Sequence, residues 1–408
     1  MKAKQKILLV NQHSSNHGDE AAGKALTRNV DFQGGQVSIL YNAVSKNAII
    51  DFGMEFKQIL LTQTFDLIEK SLVLLSFVMP VKFLSRYFPE NLKNEFNIIK
   101  NNDMIISMPG GANLGLYNDW RYLWRLYVAL KLGKHVAIYS ISIGPFSQIA
   151  FKMLTKYVLT NVDFLSLRDA QSFRYANEMD VKYIKSIDTA FLQYTVDEQF
   201  DLKSTGVSFA SKDYVVMVPN DLTSGHKTFK NYNPDKLECV YVSIIEYLLV
   251  KDMNIVFLPQ LFANGNDSNY FKKLIDNVDD EFKKNIVIID ENLSSDVQQN
   301  IIRNAFFVIG ARYHSIVFSI NNSVPFLCLS YENKMKNTLE ILGLENYGLD
   351  LTKLPNNYNL ASFKSEARDK INNLINKEID IDNTQAKEIA KDCFTKFQDG
   401  FLNRFSGR

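Results

Sequence analysis

The sequence has few cysteines, no excess of either charge and no long apolar run, and each shortage removes a class of protein. Three cysteines in 408 residues, Cys239, Cys328 and Cys393, are far apart and odd in number. They offer neither a disulfide framework nor a Cys-x-x-Cys metal or redox pair, which suits a reducing, cytoplasmic setting. Lys plus Arg number 46 against 45 Asp plus Glu, a net charge of +1, so the broad basic field of a nucleic-acid binder is missing. The early apolar run Ile7-Leu8-Leu9-Val10 stops at Asn11, short of the roughly 7–15 residues of a secretory signal. The longest run, residues 72–80, contains a serine and ends in proline, well below the ~20 residues of a membrane span. No Gly-x-Ser-x-Gly elbow, His-Glu-x-x-His pair or EF-hand spacing occurs, and no metal site is expected.

What is present is an ordinary globular composition, 46% hydrophobic and 22% charged, in a chain long enough for two domains. Short β-branched runs alternate with helical patterns, which reads as βαβ units building parallel sheets. Strands are predicted at 6–10, 37–41, 104–108, 136–141, 164–167 and 181–184, and again at 214–218, 255–258, 286–289, 306–309 and 326–329. Helices are predicted near Asp19, over 119–132 and 148–159, and from Asp235, Ser268, Ser295, His314 and Asn333. The fold class is therefore α/β, with two doubly wound Rossmann-like domains facing a central cleft, followed by C-terminal helices. The boundaries are 1–195 for the first domain, 196–212 for a polar linker, 213–346 for the second domain and 347–408 for a helical tail. Ligands of such folds bind beyond the carboxyl ends of the strands.

Several strand ends carry chemistry-bearing residues. After the first strand comes Asn16-His17-Gly18-Asp19-Glu20-Ala21-Ala22-Gly23-Lys24-Ala25, close to the P-loop pattern but with Ala25 where a hydroxyl would hold magnesium and two carboxylates where phosphates would sit. A tight strand-to-helix turn, with the acidic pair at the helix start, is the better local reading. Gly110-Gly111 with Asn113 follows another strand, where bare backbone can approach a ligand or simply turn. Arg168 in Ser166-Leu167-Arg168-Asp169 and Asp188 also end strands, each open to a ligand-binding or a merely structural reading. The sharpest group is Gly310-Ala311-Arg312-Tyr313-His314. With eleven arginines against thirty-five lysines, an Arg two residues from one of five histidines suits an anionic substrate that must exchange a proton. Lys334 and Tyr331 follow the next strand. Trp120 and Trp124 read as core packing. Residues 65–88, apolar with Lys70, Lys82 and Arg86 interleaved, read either as core helix or as a surface that touches a membrane.

In these motifs and their order, over roughly residues 5–346, the chain resembles the polysaccharide pyruvyl transferase family. The motifs are Asn16-x-Gly18-Asp19-Glu20-Ala21, Gly110-Gly111 with Asn113-Leu114, Ser142-Ile143-Gly144-Pro145, Ser166-Leu167-Arg168-Asp169 with Ser172, Asp188-x-Ala190-Phe191, Gly310 to His314, Val324-Pro325 and Tyr331-x-x-Lys334. The resemblance implies a GT-B-like fold, phosphoenolpyruvate as donor substrate with no further cofactor, and a sugar acceptor. It places Arg168, Arg312, Tyr313, His314 and Lys334 at the donor and Asn16, Gly18, Gly110, Gly111, Asn113 and Asp188 at the acceptor or lining the cleft. His314 is the implied acid–base residue, with Asp19 or Glu20 as the base. The sequence departs from the family at Ala112, where a third glycine is usual, at Ser140 and Ser142 for two glycines, and at Tyr313 between Arg and His. The implied reaction forms a cyclic pyruvate ketal on a hexose of a surface polysaccharide or its lipid-linked precursor, at the inner face of the membrane. A nucleotide-sugar glycosyltransferase and a catalytically silent sugar-binding protein are the alternatives. Oligomeric state is left open.

Overall fold

Near-continuous apolar runs bounded by polar turns become parallel strands covered on both faces, because only such strands can bury every second and every intervening side chain. In the computed structural model the described residues are 5–13, 16–32, 35–43, 50–52, 56–60, 65–192, 201–222, 234–262, 267–354, 359–377 and 379–405. They form two compact units. The first comprises Met1–Ser15, Asp19–Gln193 and Ala386–Arg408, and the second Asn16–Gly18 and Tyr194–Gln385.

The first sheet contains β1 (Lys6–His13), β2 (Gln36–Ala43), β3 (Lys57–Ile59), β4 (Met104–Ser107), β5 (Gly110–Gly115), β6 (His135–Gly144), β7 (Phe164–Leu167) and β8 (Ile184–Lys185). Its order is β3-β2-β1-β4-β6-β7-β8, with β5 paired to β6, and every pairing is parallel. The second sheet contains β9 (Tyr214–Val218), β10 (Asn254–Phe257), β11 (Ile286–Ile288), β12 (Phe307–Gly310), β13 (Phe326–Ser330) and β14 (Gly348–Asp350), ordered β11-β10-β9-β12-β13-β14. In each sheet the chain winds outward from a central pair, β1 beside β4 and β9 beside β12, so that the crossovers leave in opposite directions there. Such switch points open a crevice at the carboxyl ends of the strands.

Three elements depart from the sequence reading. Gly110-Gly111 opens a strand rather than a turn, since β5 leaves β4 after two residues and pairs beside β6. The run at 181–184 contributes only its end to β8, an edge strand paired over two residues. The boundary placed at 346 falls just before β14, which pairs Gly348 with Cys328 and completes the second sheet. Of the linker placed at 196–212, residues 196–200 lie outside the described residues, and the remainder holds a 3-10 turn, Leu202–Thr205, capped by Asp201.

The tail also divides. Helix Leu360–Asn376 belongs to the second unit, where Tyr247 Oη donates to Asn372 Oδ1 at 2.6 Å. Helix Thr384–Phe397 leads into the first unit, where Phe397 meets the rings of Tyr139 and Phe164 at 4.9 and 5.0 Å. A fully buried Trp124, whose Nε1 donates to Ser76 Oγ at 3.0 Å, lies in the first unit's core as expected.

Beside the first switch point sits a buried ionic network. Glu95 accepts from Arg125 Nε and, at 2.7 Å, from Arg121 Nη2. Arg125 Nη1 donates onward to Asn11 Oδ1 and to the Tyr41 carbonyl, both at 3.1 Å. It thereby fixes the ends of β1 and β2, where Asn11 takes a left-handed φ of 68°.

Candidate active site

In the second unit, β12 ends at Gly310 and the chain enters helix Tyr313–Asn321 with Arg312 at the N-cap position. Arg312 does not cap the helix through its side chain; its Nη2 donates to Asp267 Oδ1. Asp267 is buried at the start of helix Asp267–Asp276, and its Oδ2 accepts from the backbone amides of Gln260 and Leu261, each at 3.0 Å. Burial disfavours the charge on Arg312, but the adjoining Asp267 carboxylate outweighs it and holds the guanidinium's pKa above its ordinary value. Arg312 Nε and Gln260 Nε2 are buried donors without a hydrogen-bond partner among the described residues.

His314, only 6% exposed, stands in the first turn of the same helix. Its ring lies against Gly18, where a β-carbon would fall 1.7 Å from Nδ1 and 2.0 Å from Cγ. The Tyr313 ring meets it edge-on at 4.9 Å, and Lys334 Nζ lies 5.0 Å over that tyrosine while pairing with Glu332 at 2.8 Å. The segment carrying Gly18 is stitched onto the end of β10. Asn16 bridges Leu261, the His17 amide donates to the Gln260 carbonyl at 3.3 Å, and the His17 ring packs edge-on against Phe262 at 4.9 Å. Asn16 Oδ1 accepts the Gly18 amide at 2.8 Å and sets the turn. Thus Asn16, Gly18, Arg312, Tyr313, His314 and Lys334 come together in one unit, joined by three residues the sequence reading passed over: His17, Gln260 and Asp267. Asp267 reads in sequence as an ordinary helix cap, and Gln260 carries no signal in sequence beyond lying two residues after the strand predicted at 255–258.

The first unit holds the rest. Arg168 and Asp188, predicted for different roles, are each other's partners: Nη1 donates to Asp188 Oδ2 at 2.6 Å and Nε to Ser142 Oγ at 3.2 Å, with both residues buried. The Arg168 fork is therefore largely engaged within the protein, and it ties together the strand ends of β6 and β7 and the turn after β8. Ser140, in the family's glycine position, has a φ of 47°, steadied by its Oγ donating to the Ile187 carbonyl at 2.7 Å. Glu20 pairs with Lys24 at 2.7 Å inside helix His17–Asn29, both side chains buried. That pairing removes the near-P-loop lysine from any phosphate role, and it commits Glu20, whereas Asp19 is partly exposed.

Asn113 Nδ2 and Asn42 Nδ2 both donate to Asp119 Oδ2, at 3.1 and 2.7 Å, while Asp119 Oδ1 caps helix Trp120–Lys131. Open space faces Gly110. Asn42 and Asp119 line a cavity of about 720 Å³ with Phe65, Lys70, Tyr117, Trp120, Arg121 and Gln148. The Arg121 guanidinium lies 4.4 Å over the Phe65 ring on the cavity wall. No group of three or more His, Cys, Asp or Glu side chains suited to a metal ion occurs among the described residues.

Comparisons with known proteins agree with this layout. The amylovoran biosynthesis protein AmsJ of Erwinia amylovora is 25% identical over 279 residues, 65% of this chain and 66% of that protein, so the match spans just under two thirds of the relative's length. The fold is shared with a UDP-N-acetylglucosamine 2-epimerase from Listeria monocytogenes, with a TM-score of 0.62, 12% identity and coverage of 98% and 97% of the two chains. It is shared also with the UDP-GlcNAc 2-epimerase of Methanocaldococcus jannaschii solved with UDP-GlcNAc and UDP, at a TM-score of 0.58, 13% identity and 96% and 99% coverage. Two Rossmann-like units of this kind make the architecture GT-B-like. The family model for polysaccharide pyruvyl transferase matches residues 43–333, a stretch that runs from before Gly110-Gly111 to beyond Arg312, His314 and Val324-Pro325, and the chain belongs to that family.

Proposed function

We propose that this protein transfers the pyruvate group of phosphoenolpyruvate to two hydroxyls of a hexose in a surface polysaccharide or its lipid-linked precursor, as a cyclic ketal. Family membership supports a transferase of polysaccharide synthesis. The observation that carries the finer reading is the pairing, in one helix turn at the second switch point, of a cationic Arg312 with a buried His314. A donor with a carboxylate and a phosphate calls for a fixed cation and further N–H donors. Arg312, with its unpartnered Nε, and Gln260 Nε2 supply them. Lys334, ion-paired with Glu332, lies over the Tyr313 ring beside them.

The chemistry is a proton-coupled addition. A proton delivered by His314 to the methylene carbon of the donor leaves a cationic centre at the adjacent carbon, which the first sugar hydroxyl attacks, losing its own proton. The bond to the phosphate oxygen then breaks, a second hydroxyl adds and loses its proton, and inorganic phosphate departs. Asp19 is the better candidate for the base, since Glu20 is held by Lys24. Arg168 acts as a positioning residue through Asp188 and Ser142. The acceptor is assigned to the 720 Å³ cavity, whose Trp120 and Phe65 offer apolar surface to a sugar face and whose Asn42, Asp119 and Arg121 offer polar groups to its hydroxyls.

The test is phosphate release from phosphoenolpyruvate with a panel of galactosides and N-acetylhexosamines. Acceptor-dependent release, with a product mass equal to the sugar plus pyruvate less water, is expected; no release with any acceptor would overturn the reading. A nucleotide-sugar donor is the second reading, favoured by the fold shared with an epimerase solved with UDP-GlcNAc. Thermal melting separates them: phosphoenolpyruvate at a hundred times its Kd should stabilise the protein by about 2.7 kcal/mol, and UDP-sugars should leave it unchanged.

A further inference from the structure

One face of the first unit exposes large apolar side chains from segments distant in sequence. Leu67 is 80% exposed, Val78 81% and Ile149 81%, with Phe83 and Met153 also at the surface. Helix Trp120–Lys131 joins these segments, because Phe77 packs on Tyr127 at 4.6 Å, Tyr127 on Tyr157 at 5.7 Å, and Lys131 Nζ lies over both tyrosine rings at 5.2 and 4.7 Å. A shallow depression of about 450 Å³ runs between residues 77–82 and Tyr127 with Lys131.

The exposed charge on this face is mostly positive. Between exposed Asp66 and Glu90 at its two ends, residues 67–89 contain Lys70, Lys82 and Arg86 and one further carboxylate, Glu69, which is buried and spent on the capping box with Asp66. Residues 145–162 contain Lys152 and Lys156 and no carboxylate. In a chain with nearly equal numbers of cations and anions, apolar side chains interspersed with an excess of cations have a physical partner in an interface that is apolar inside and anionic at its surface. A second copy of the chain is the poorer match, since a two-fold contact would set these lysines against their own images. No helix among the described residues is long and apolar enough to cross a membrane.

We infer that this face docks the protein on an anionic bilayer surface. Lys70 and Leu74, on helix Leu67–Ser76 of this face, also line the 720 Å³ cavity, so a lipid-linked sugar would be presented beside its binding site; that consequence, unlike the docking itself, rests on the pyruvyl-transfer reading. The experiment is sedimentation of the full chain with vesicles of phosphatidylglycerol and phosphatidylcholine, and with phosphatidylcholine alone. Binding to the anionic vesicles only, weakened by salt and reduced about tenfold or more in a Val78→Glu, Ile149→Glu double variant, is the expected result. A wild-type protein that stays in the supernatant with both vesicles overturns the inference, as does unchanged binding by the double variant. So does a dimer in light scattering that the double variant splits, without vesicle binding. Melting curves provide the folding control, so the outcome is independent of whether phosphoenolpyruvate is the donor. If docking holds and the transfer reading holds, the double variant keeps its activity on a water-soluble acceptor and loses it on a lipid-linked one in vesicles.

Discussion

A methyl group on residue 18 would lie 1.7 Å from His314 Nδ1, with the neighbouring ring carbons hardly farther. The obstructing atoms belong to a buried imidazole flanked by Tyr313 and Phe318, so a Gly18→Ala variant must displace the ring or its own loop. Since a displacement of about 1 Å at a reacting group can cost on the order of 10²-fold in rate, Gly18→Ala is expected to lose phosphate release by about that factor, approaching the loss in His314→Ala. Its melting temperature should change by only a few degrees. Wild-type turnover by Gly18→Ala would show that the imidazole's position does not matter. The glycine was legible as part of a motif, and His314 as part of another, but their contact was not, because spacing along the chain carries no information on which strand ends meet. Asp267 was hidden for a different reason: at the start of a helix an aspartate already has a sufficient explanation, and nothing in the sequence assigns it to Arg312.

Elements were readable in proportion to how strongly one pattern dominated them. The apolar strands β1, β6, β9 and β13, the helix Trp120–Lys131 capped by Asp119 and the helix from Asn333 fall close to where the hydrophobic period places them. The three-residue strand β14 and the glycine-led β5 carry too little pattern to stand apart from turns. Least legible of all was the network that holds the ends of β1 and β2, since charged residues on helices carry no sequence signal for burial, yet Glu95 and Arg125 are wholly buried. Burial by itself would raise the Glu95 pKa; Arg125 and Arg121 outweigh it and hold the carboxyl below its ordinary range. A depressed carboxylate contributes stability that is fully present above its unfolded pKa of about 4.3 and is lost as the pH falls through the folded value. Arg125→Met strands most of that charge, and a destabilisation of about 3–5 kcal/mol near pH 7 is expected. Without Arg125 burial dominates, the carboxyl takes up a proton more readily, and the deficit should shrink toward pH 5. Urea unfolding of variant and wild type at both pH values measures this, and a deficit that grows on acidification would refute the account.

At the scale of the whole molecule the chain visits its first unit twice, which a reading of domains as consecutive segments misses. Cys393, Phe397 and Phe401 on the returning helices are fully buried, Phe397 against Tyr139 and Phe164. The Phe405 ring stacks on His135 at 3.8 Å, and its carbonyl accepts from Gln5 Nε2 at 2.6 Å. These contacts cover the β6 and β7 side of the sheet, which carries the Arg168 and Ser142 positions. Burying one phenylalanine contributes about 1.5–3 kcal/mol, so two of them with Cys393 amount to a large fraction of the roughly 5–15 kcal/mol that keeps a domain folded. A fragment ending at residue 195, the boundary suggested by the sequence, is therefore expected to be poorly soluble and to melt without a cooperative transition. The same fragment carrying residues 380–408 on a flexible Gly/Ser linker should regain both solubility and a single sharp transition in calorimetry. Cooperative melting of the short fragment alone would mean that the sheet closes without its returning helices, and the covering role assigned to Phe397 and Phe401 would fall.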